Sequence, residues 1–249
     1  MCTVTYLPLG GQSYILTSNR DEAPSRADHQ IYGETRQGEQ LLFPKDSEAG
    51  GTWIATSDTG RSLVILNGAF RPHKRQLPYR RSRGLMVKDY FDYPSSEAFI
   101  EQYEFVGIEP FTLVLVELGK LTELRWDGHI PHKRILDPNA AYVWASSTLY
   151  DEQAIHNRER WFKSWQESES SFSPDAIWSW HHSAGDGDSM NDVIMNRYDL
   201  VRTVSVTQIV QSNNQVTLRF DNLLELGSIP LIGRMALNRE LIKHLPEMN

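Results

Sequence analysis

Short β-rich runs separated by glycine-containing turns recur along the chain and predict antiparallel strand pairs. The first pair joins residues 3–7 to residues 14–17 across two glycines at positions 10–11, a two-residue hairpin turn. In that register the numbers of paired residues add to 21, so Cys2 faces Asn19. The hairpin therefore returns the residues that follow Asn19 to the beginning of the chain.

The same pattern predicts two more hairpins in the middle of the sequence. Residues 52–56 pair with residues 62–66, and residues 111–118 pair with residues 121–126. Residues 111–116 are almost continuously apolar, which predicts a strand buried on both faces and covered by further layers. Later strands are expected over residues 142–145, 200–210 and 216–220.

Apolar residues at helical spacing predict a minority of helices. They are expected over residues 84–93, 96–102, 151–165 and 174–182. Because strands and helices come in runs without strict alternation, we predict an α+β fold with two mainly antiparallel sheets sandwiched between helices. We expect one domain over residues 1–249, in which residues 229–249 form a turn and a short C-terminal helix carrying Leu237, Leu241 and Leu245.

Composition narrows the class of protein. The 249 residues are 40% hydrophobic and 10% aromatic, which excludes a disordered chain. A net charge of −7 argues against non-specific nucleic-acid binding. No run reaches the roughly 18 apolar residues of a membrane span, and the N-terminus lacks signal-peptide character, so we expect a cytoplasmic protein. The single cysteine excludes an internal disulfide and a Cys–Cys metal site.

That cysteine, Cys2, is the candidate nucleophile. Its small side chain permits removal of Met1, which would leave Cys2 at the N-terminus. An α-amino group has a pKa near about 8 and can accept the proton of its own thiol, so that one residue supplies both nucleophile and base. The alternative is that Cys2 is a small buried hydrophobic residue at the start of an edge strand.

Charged and amide side chains are predicted to surround Cys2. Arg20 at the strand end would lower the pKa of a thiol, and Asp21 could orient Arg20 or the amine. The alternative is an exposed charged loop. Asn67 ends an apolar strand and precedes Gly68, so its amide is either a turn former or a donor directed into a site.

Several motifs occur together: Cys2, Asn19-Arg20-Asp21-Glu22, Gly50-Gly51-Thr52-Trp53, Gly60, Leu66-Asn67 and Ser82-Arg83-Gly84. In this combination the sequence resembles the NRDE family, to which transport and Golgi organisation protein 2 belongs. The resemblance is specific over residues 1–85 and continues weakly to about residue 220.

The NRDE family is similar to N-terminal-nucleophile (Ntn) hydrolases of the choloylglycine hydrolase and penicillin V acylase type. The resemblance therefore implies a four-layer αββα sandwich and cleavage of non-peptide amides. It matches Cys2 to the nucleophile and Asp21 to the early aspartate. It also matches Asn67 to the oxyanion asparagine and Arg202 to the late arginine.

Two positions depart from the acylase pattern. The acylases carry an arginine three residues before the aspartate, where this chain has Ser18, whereas Arg20 directly precedes Asp21. In place of a second oxyanion asparagine, the hydroxyl of Ser147 could act as donor. The residues expected to contact substrate are Asn19, Trp53, Arg83 and Ser147.

A basic segment follows Asn67 within thirteen positions: Arg71, Lys74, Arg75, Arg80, Arg81 and Arg83. It is either a rim that binds a carboxylate, phosphate or coenzyme A, or a plain solvated loop. His181 and His182, followed by the acidic segment 186–188, fit no zinc or calcium spacing. We therefore expect no metal and no cofactor, with either histidine at most at the rim of a site.

Two functional hypotheses from different classes follow. In the first, the chain is an Ntn-hydrolase-like amidase or acylase that cleaves a non-peptide C–N bond of a small acylated substrate through Cys2. In the second, it is a non-catalytic carrier on the same scaffold, because the family resemblance implies roles in haem mobilisation or lipid homeostasis. The carried ligand would be haem, acyl-CoA or a lipid. Whether the chain forms a homo-oligomer is left open.

Overall fold

The computed structural model describes residues 3–27, 29–212, 214–225 and 227–244, which form two seven-stranded sheets and five α-helices. The strands are β1 (Thr3–Gly10), β2 (Ser13–Glu22), β3 (Ile31–Arg36), β4 (Glu39–Pro44), β5 (Ile54–Ser57), β6 (Ser62–Asn67), β7 (Phe111–Glu117), β8 (Lys120–Trp126), β9 (Pro131–Leu136), β10 (Tyr142–Ala145), β11 (Asn196–Arg197), β12 (Val201–Ser212), β13 (Gln215–Asn222) and β14 (Leu231–Ala236). The helices are α1 (Arg83–Asp89), α2 (Ser96–Gln102), α3 (Glu152–Ser168), α4 (Pro174–Ser183) and α5 (Arg239–His244).

Every paired strand in both sheets is antiparallel to its neighbour. The first sheet has the order β10-β1-β2-β12-β13-β14, and β11 pairs with β12. The second sheet runs β3 to β9 in sequence order. The two N-terminal strands therefore lie inside the first sheet between strands from much later in the chain.

Two hydrophobic layers flank the first sheet. On its outer face, Leu7 and Ile15 pack against Phe162 of α3 and Ile177 of α4. On its inner face it meets the second sheet, where the Tyr14 hydroxyl donates to Ser62 Oγ at 2.6 Å. Helices α1 and α2 cover the second sheet within the main core. The predicted α+β fold is confirmed as a four-layer αββα sandwich.

The predicted buried strand is confirmed at β7, in which all seven residues are buried. The predicted hairpin register is wrong by one residue: Leu7 faces Ile15 and Thr3 faces Asn19, so paired numbers add to 22. A bulge between Pro8 and Gly10 shifts the turn. The physical reason is side-chain polarity, because the observed register aligns Leu7 and Ile15 on the helix-facing side.

The segment 229–249, predicted as a turn and a helix, contains the edge strand β14 before α5 begins at Arg239. Strand β14 is half exposed and contains Gly233 and Arg234, so its sequence lacks the apolar run of an interior strand. Strands β3, β4 and β9 were also not predicted. Of the expected apolar helix positions, Leu245 lies outside the described residues.

Two glycine motifs fix the loop before β5 against the beginning of α1. A Cβ atom on Gly51 would lie 2.3 Å from the carbonyl carbon of Gly84, so the two backbones are in direct contact. The Thr52 N–H donates to the Gly84 carbonyl oxygen at 3.0 Å. This contact holds Trp53, one residue after Thr52, close to Arg83 at the helix beginning.

We expect Gly51→Ala to lower the free energy of unfolding by more than about 2 kcal/mol, because the new methyl group overlaps the Gly84 backbone. Denaturant unfolding would measure the loss. Gly33→Ala is the matched control, since a Cβ there would meet only the Leu41 carbonyl oxygen, at an ordinary 3.8 Å. Equal losses in the two variants would contradict the importance of the Gly51–Gly84 contact.

Candidate active site

A cavity of about 810 Å³ is bordered by β2, β6, the loop before β5 and the segment before α1. Four of the predicted site residues line it: Arg20, Trp53, Asn67 and Arg83. Cys2, the predicted nucleophile, lies outside the described residues. The described residues begin at Thr3, which pairs with Asn19 of β2 and with Ala145 of β10.

Arg20 forms the inner wall of the cavity and joins the two sheets. Its guanidinium donates to Asp46 Oδ2 at 2.5 Å and to the Arg26 carbonyl oxygen at 2.5 Å. It also lies over the Trp53 ring, 4.2 Å from the centroid. Burial lowers the pKa of Arg20, against the opposing attraction of Asp46. Asp46, not the expected Asp21, is the carboxylate that orients this arginine.

Asp46 is a buried carboxylate that interacts with two arginines. Arg26 also donates to Asp46 Oδ2, at 2.6 Å, and the Ala49 N–H donates to Oδ1 at 2.8 Å. Burial alone would raise the pKa of Asp46, but the Ala49 hydrogen bond and the charges of Arg20 and Arg26 outweigh it and lower the pKa. The ionised form of Asp46 is therefore stabilised in the folded protein.

Asn67 ends β6 with its side chain at the cavity. No hydrogen bond joins its side-chain amide to another residue of the described chain. Its backbone is fixed, because the Ser146 hydroxyl donates to the Asn67 carbonyl oxygen at 2.8 Å. The following residue, Gly68, has a φ of +81°, and a Cβ there would lie 2.4 Å from Ser147 Oγ. The backbone of Asn67 is thus fixed at the end of a strand, and its side-chain amide is available to donate into the cavity.

Ser147 lies directly behind this turn. Its hydroxyl is buried and has no partner among the described residues. It lines a second cavity of about 220 Å³, whereas its neighbour Thr148 lines the larger one. Ser147 therefore stands between the two cavities beside the Asn67 turn.

The basic segment contributes one wall of the larger cavity. Three basic side chains of this wall surround the carboxylate of Glu109. Arg83 Nη2 lies 3.1 Å from Glu109 Oε2. On the other oxygen, Oε1, His73 Nε2 lies at 3.2 Å and Arg75 Nε at 3.6 Å. Two arginines and a histidine thus share one carboxylate. Burial lowers the pKa of Arg83, against the attraction of Glu109. Arg81 pairs instead with Asp89.

The alternation of β2 sends Asn19 and Asp21 to the opposite face from Arg20, toward the helices. Asn19 is fully buried and bonds His181 Nδ1 and, through its amide nitrogen, the His181 carbonyl oxygen at 3.0 Å. It therefore does not line the cavity, contrary to its predicted role as a substrate contact. Burial, followed by the charge of His182, lowers the pKa of His181 well below its usual value. His181 is a core residue and not a rim residue.

Asp21 is held by two hydroxyl groups. Tyr150 donates to Oδ2 at 2.5 Å and Thr203 donates to Oδ1 at 2.6 Å. Arg202, one residue before Thr203, is half-buried and faces Glu22 across the sheet. Its Nη1 lies 3.6 Å from Asp199, and it is not among the residues that line the described cavity.

Arg158 of α3 is a functional candidate that the sequence patterns did not indicate. It is fully buried, donates to Thr3 Oγ1 at 3.0 Å and lies 3.5 Å from the centroid of the Tyr150 ring. Its other donors reach the carbonyl oxygens of Ala154 and Asp192. A buried arginine thus ties the start of β1 to the tyrosine that binds Asp21. Only its position one helical turn after Ala154, on the buried side of α3, could have drawn attention to it.

Within the part of the chain that the structure describes, no group of three His, Cys, Asp or Glu side chains could hold a metal ion. None of the described helices is both long and apolar enough to cross a membrane. The side chains at the cavity offer an amide donor and a set of guanidinium groups. The indole nitrogen of Trp53 is buried and has no partner among the described residues.

We expect Asp46→Asn to lower the free energy of unfolding by about 3–5 kcal/mol at neutral pH, because it leaves buried Arg20 without its counter-charge. The pKa of Asp46 is depressed in the folded state, so this contribution is present above the unfolded pKa and is lost as pH falls. The difference between wild type and variant should therefore shrink below about pH 4.

Denaturant titrations at several pH values would measure that difference. Asp175→Asn is the control, because this carboxylate is 91% exposed although it also faces an arginine. If the difference in free energy of unfolding between wild type and Asp46→Asn stayed constant from neutral to acidic pH, the charge of Asp46 would not be what stabilises the cavity wall.

Solved structures with the same architecture include hydrolases. The Caenorhabditis elegans N-acylethanolamine-hydrolyzing acid amidase ortholog is similar with a TM-score of 0.55 and 10% identity, over 84% of this chain and 92% of that one. Two variants of conjugated bile acid hydrolase from Clostridium perfringens are similar with TM-scores of 0.56 and 0.53 and identities of 8% and 10%, each over 97% of this chain and 94% of that one. At these identities the likeness shows the Ntn-hydrolase fold.

No curated protein sequence matches the chain. The family model described as Transport and Golgi organisation 2 matches residues 1–220, which include every strand of the site and all the motifs that border the cavity. The chain belongs to the Transport and Golgi organisation 2 family.

Proposed function

We propose that this protein is an amidase that cleaves a non-peptide C–N bond of a small acylated substrate, with Cys2 as N-terminal nucleophile. The observation that carries the proposal is the Asn67 amide, held at the end of β6 beside a cavity large enough for such a substrate. An amide donor carried on a fixed backbone at this position can donate to an oxyanion that forms in the cavity.

The fold supports the same reaction class. The structural neighbours include an acid amidase and a bile acid hydrolase, and the chain shares their Ntn-hydrolase architecture. Fold alone does not fix function, so the proposal depends on the residues of the site.

In the proposed reaction, removal of Met1 exposes the α-amino group of Cys2. This amine accepts the thiol proton as the sulfur attacks the carbonyl carbon of the substrate, and the resulting oxyanion accepts a hydrogen bond from Asn67. The amine then returns the proton to the leaving nitrogen, which departs and leaves a thioester on Cys2. Water attacks the thioester, releases the acid and restores the thiol.

Two groups of residues are proposed to assist this reaction. Arg20 fixes the cavity wall through Asp46 and Trp53, and Tyr150 and Thr203 donate to Asp21 on the opposite face of β2. The Arg83 and His73 side of the cavity would contact a polar or anionic part of the substrate. In the larger cavity, arginines outnumber carboxylates among the lining residues, which favours such a group.

We expect Asn67→Ala to lower kcat by about 10²-fold or more with little change in KM, because an oxyanion donor acts in the transition state. A panel of fluorogenic N-acyl aminomethylcoumarins would supply the assay. Asn139→Ala, in an exposed turn, is the matched control and should keep wild-type kcat. Wild-type kcat in a folded Asn67→Ala protein would make Asn67 a turn residue only.

We expect the intact mass of protein made in a cell with ordinary methionine aminopeptidase to lack Met1, because Cys2 is small. Mass spectrometry of the intact chain measures this directly. Quantitative retention of Met1 would remove the proposed base and would contradict the mechanism.

We expect Cys2→Ala to keep the melting temperature close to wild type and to form no side-chain acyl adduct. Because the chain has a single cysteine, a thiol-reactive acyl probe reports on Cys2 alone. Cys2→Ser should acylate far more slowly, since a hydroxyl is much less acidic than a thiol, while ligand binding is kept. A large loss of stability in Cys2→Ala, with no adduct on wild type, would instead favour a buried structural cysteine.

A further inference from the structure

Positive charge is concentrated in residues 70–83, which run from shortly after the end of β6 to the first residue of α1. Residues 70–83 contain six of the 25 basic residues and no acidic residue, a net charge of +6. The rest of the chain then carries 19 basic and 32 acidic residues, a net charge of −13. The protein therefore has one strongly basic surface segment on an otherwise acidic molecule, which orients it in the field of a charged partner.

Much of this basic charge is not used within the molecule. Arg71 and Lys74 are exposed and form no ion pair with the described residues. Arg75 is 70% exposed, and its Nε lies 3.6 Å from Glu109 Oε1, beyond hydrogen-bond distance. By contrast, Arg81 and Arg83 are paired with Asp89 and Glu109. Arg71 and Lys74 are thus available to an external anion, and Arg75, whose exposed guanidinium makes a long contact with the shared Glu109, can turn toward one.

Large apolar side chains stand exposed in the same segment. Phe70 is 53% exposed, with its ring 5.0 Å from the His132 ring and 5.2 Å from the Arg125 guanidinium, and Leu77 is 71% exposed. Both lie in the stretch between β6 and α1. Single exposed apolar side chains are common on protein surfaces, but here two lie within one short basic segment. A basic surface that also projects an aromatic and an aliphatic side chain has the composition of an interfacial membrane-binding element.

We propose that the segment 70–80 docks on an anionic lipid surface, with Arg71, Lys74 and Arg75 at the headgroups and Phe70 and Leu77 inserted beneath them. Exposed cations beside an aromatic and an aliphatic side chain in one short segment favour a lipid surface, where the headgroups pair with the cations and the acyl boundary takes the apolar side chains. The docked face adjoins the cavity, since His73, Arg75 and Leu77 of this segment also line it. A ligand leaving the lipid would therefore reach the cavity without crossing the protein surface.

Vesicle co-flotation tests the proposal on the full chain and does not require turnover. We expect binding to phosphatidylcholine vesicles containing about 30% phosphatidylserine, and little binding to phosphatidylcholine alone. The triple variant Arg71→Gln/Lys74→Gln/Arg75→Gln should bind at least about tenfold more weakly, and high salt should reproduce that loss in wild type.

The double variant Phe70→Ser/Leu77→Ser should also bind at least about tenfold more weakly, because burial of these side chains is lost. Matched controls alter exposed residues elsewhere. Lys120→Gln/Arg160→Gln/Lys163→Gln removes three exposed charges, and Leu200→Ser/Ile229→Ser removes two exposed apolar side chains. Both controls should bind as wild type does, and melting temperatures confirm that each variant is folded.

Three outcomes would overturn the proposal: equal binding of wild type to neutral and anionic vesicles, wild-type binding by the triple variant, or equal losses in the controls. Loss of binding in the triple variant alone, with full binding by Phe70→Ser/Leu77→Ser, would replace lipid insertion with simple anion attraction of the kind an acidic protein provides. Because the readout is vesicle binding, none of these outcomes depends on whether the protein is an amidase.

Discussion

The ion pair between Arg20 and Asp46 is the interaction on which the candidate site depends. It joins β2 of the first sheet to the loop that follows β4 of the second sheet, and both side chains are more than nine-tenths buried. Such a pair adds little net stability compared with apolar packing, but loss of one partner leaves a buried charge unpaired. The pair therefore fixes geometry: Trp53 is stacked on Arg20, and the cavity takes its shape from that stack.

The four residues from Asn19 to Glu22 serve two layers of the sandwich at once. Strand alternation directs Asn19 toward His181 of α4 and Asp21 toward Tyr150, which lies just before α3. It directs Arg20 and Glu22 toward the cavity. Two residues of the motif, Asn19 and Asp21, thus form buried hydrogen bonds, and the other two, Arg20 and Glu22, border the cavity. This division explains why a short polar run can be buried at the end of a central strand.

Sequence patterns predicted the elements with strong apolar signals and the site residues at strand ends. Strand β7 and helix α2 follow from pattern alone, and Asn67 follows from its place after an apolar run. The hairpin register could not be predicted, because a bulge is invisible to periodicity. Half-exposed edge strands such as β14 lack an apolar run. Asp46 and Arg158 were missed since their partners are distant in sequence.

The central position of β2 has a consequence for synthesis. Asp21 receives one of its hydrogen bonds from Thr203, 182 residues later, and β12 pairs with β2 from Tyr14 to Glu22. At about 5–20 residues per second a ribosome needs about 10–40 s to make that stretch. During this time the N-terminal hairpin presents an unpaired apolar strand edge to the surroundings. Nascent chains of this protein are therefore exposed to edge-to-edge association until β12 has been made, and chaperone protection of the hairpin is most valuable in that interval.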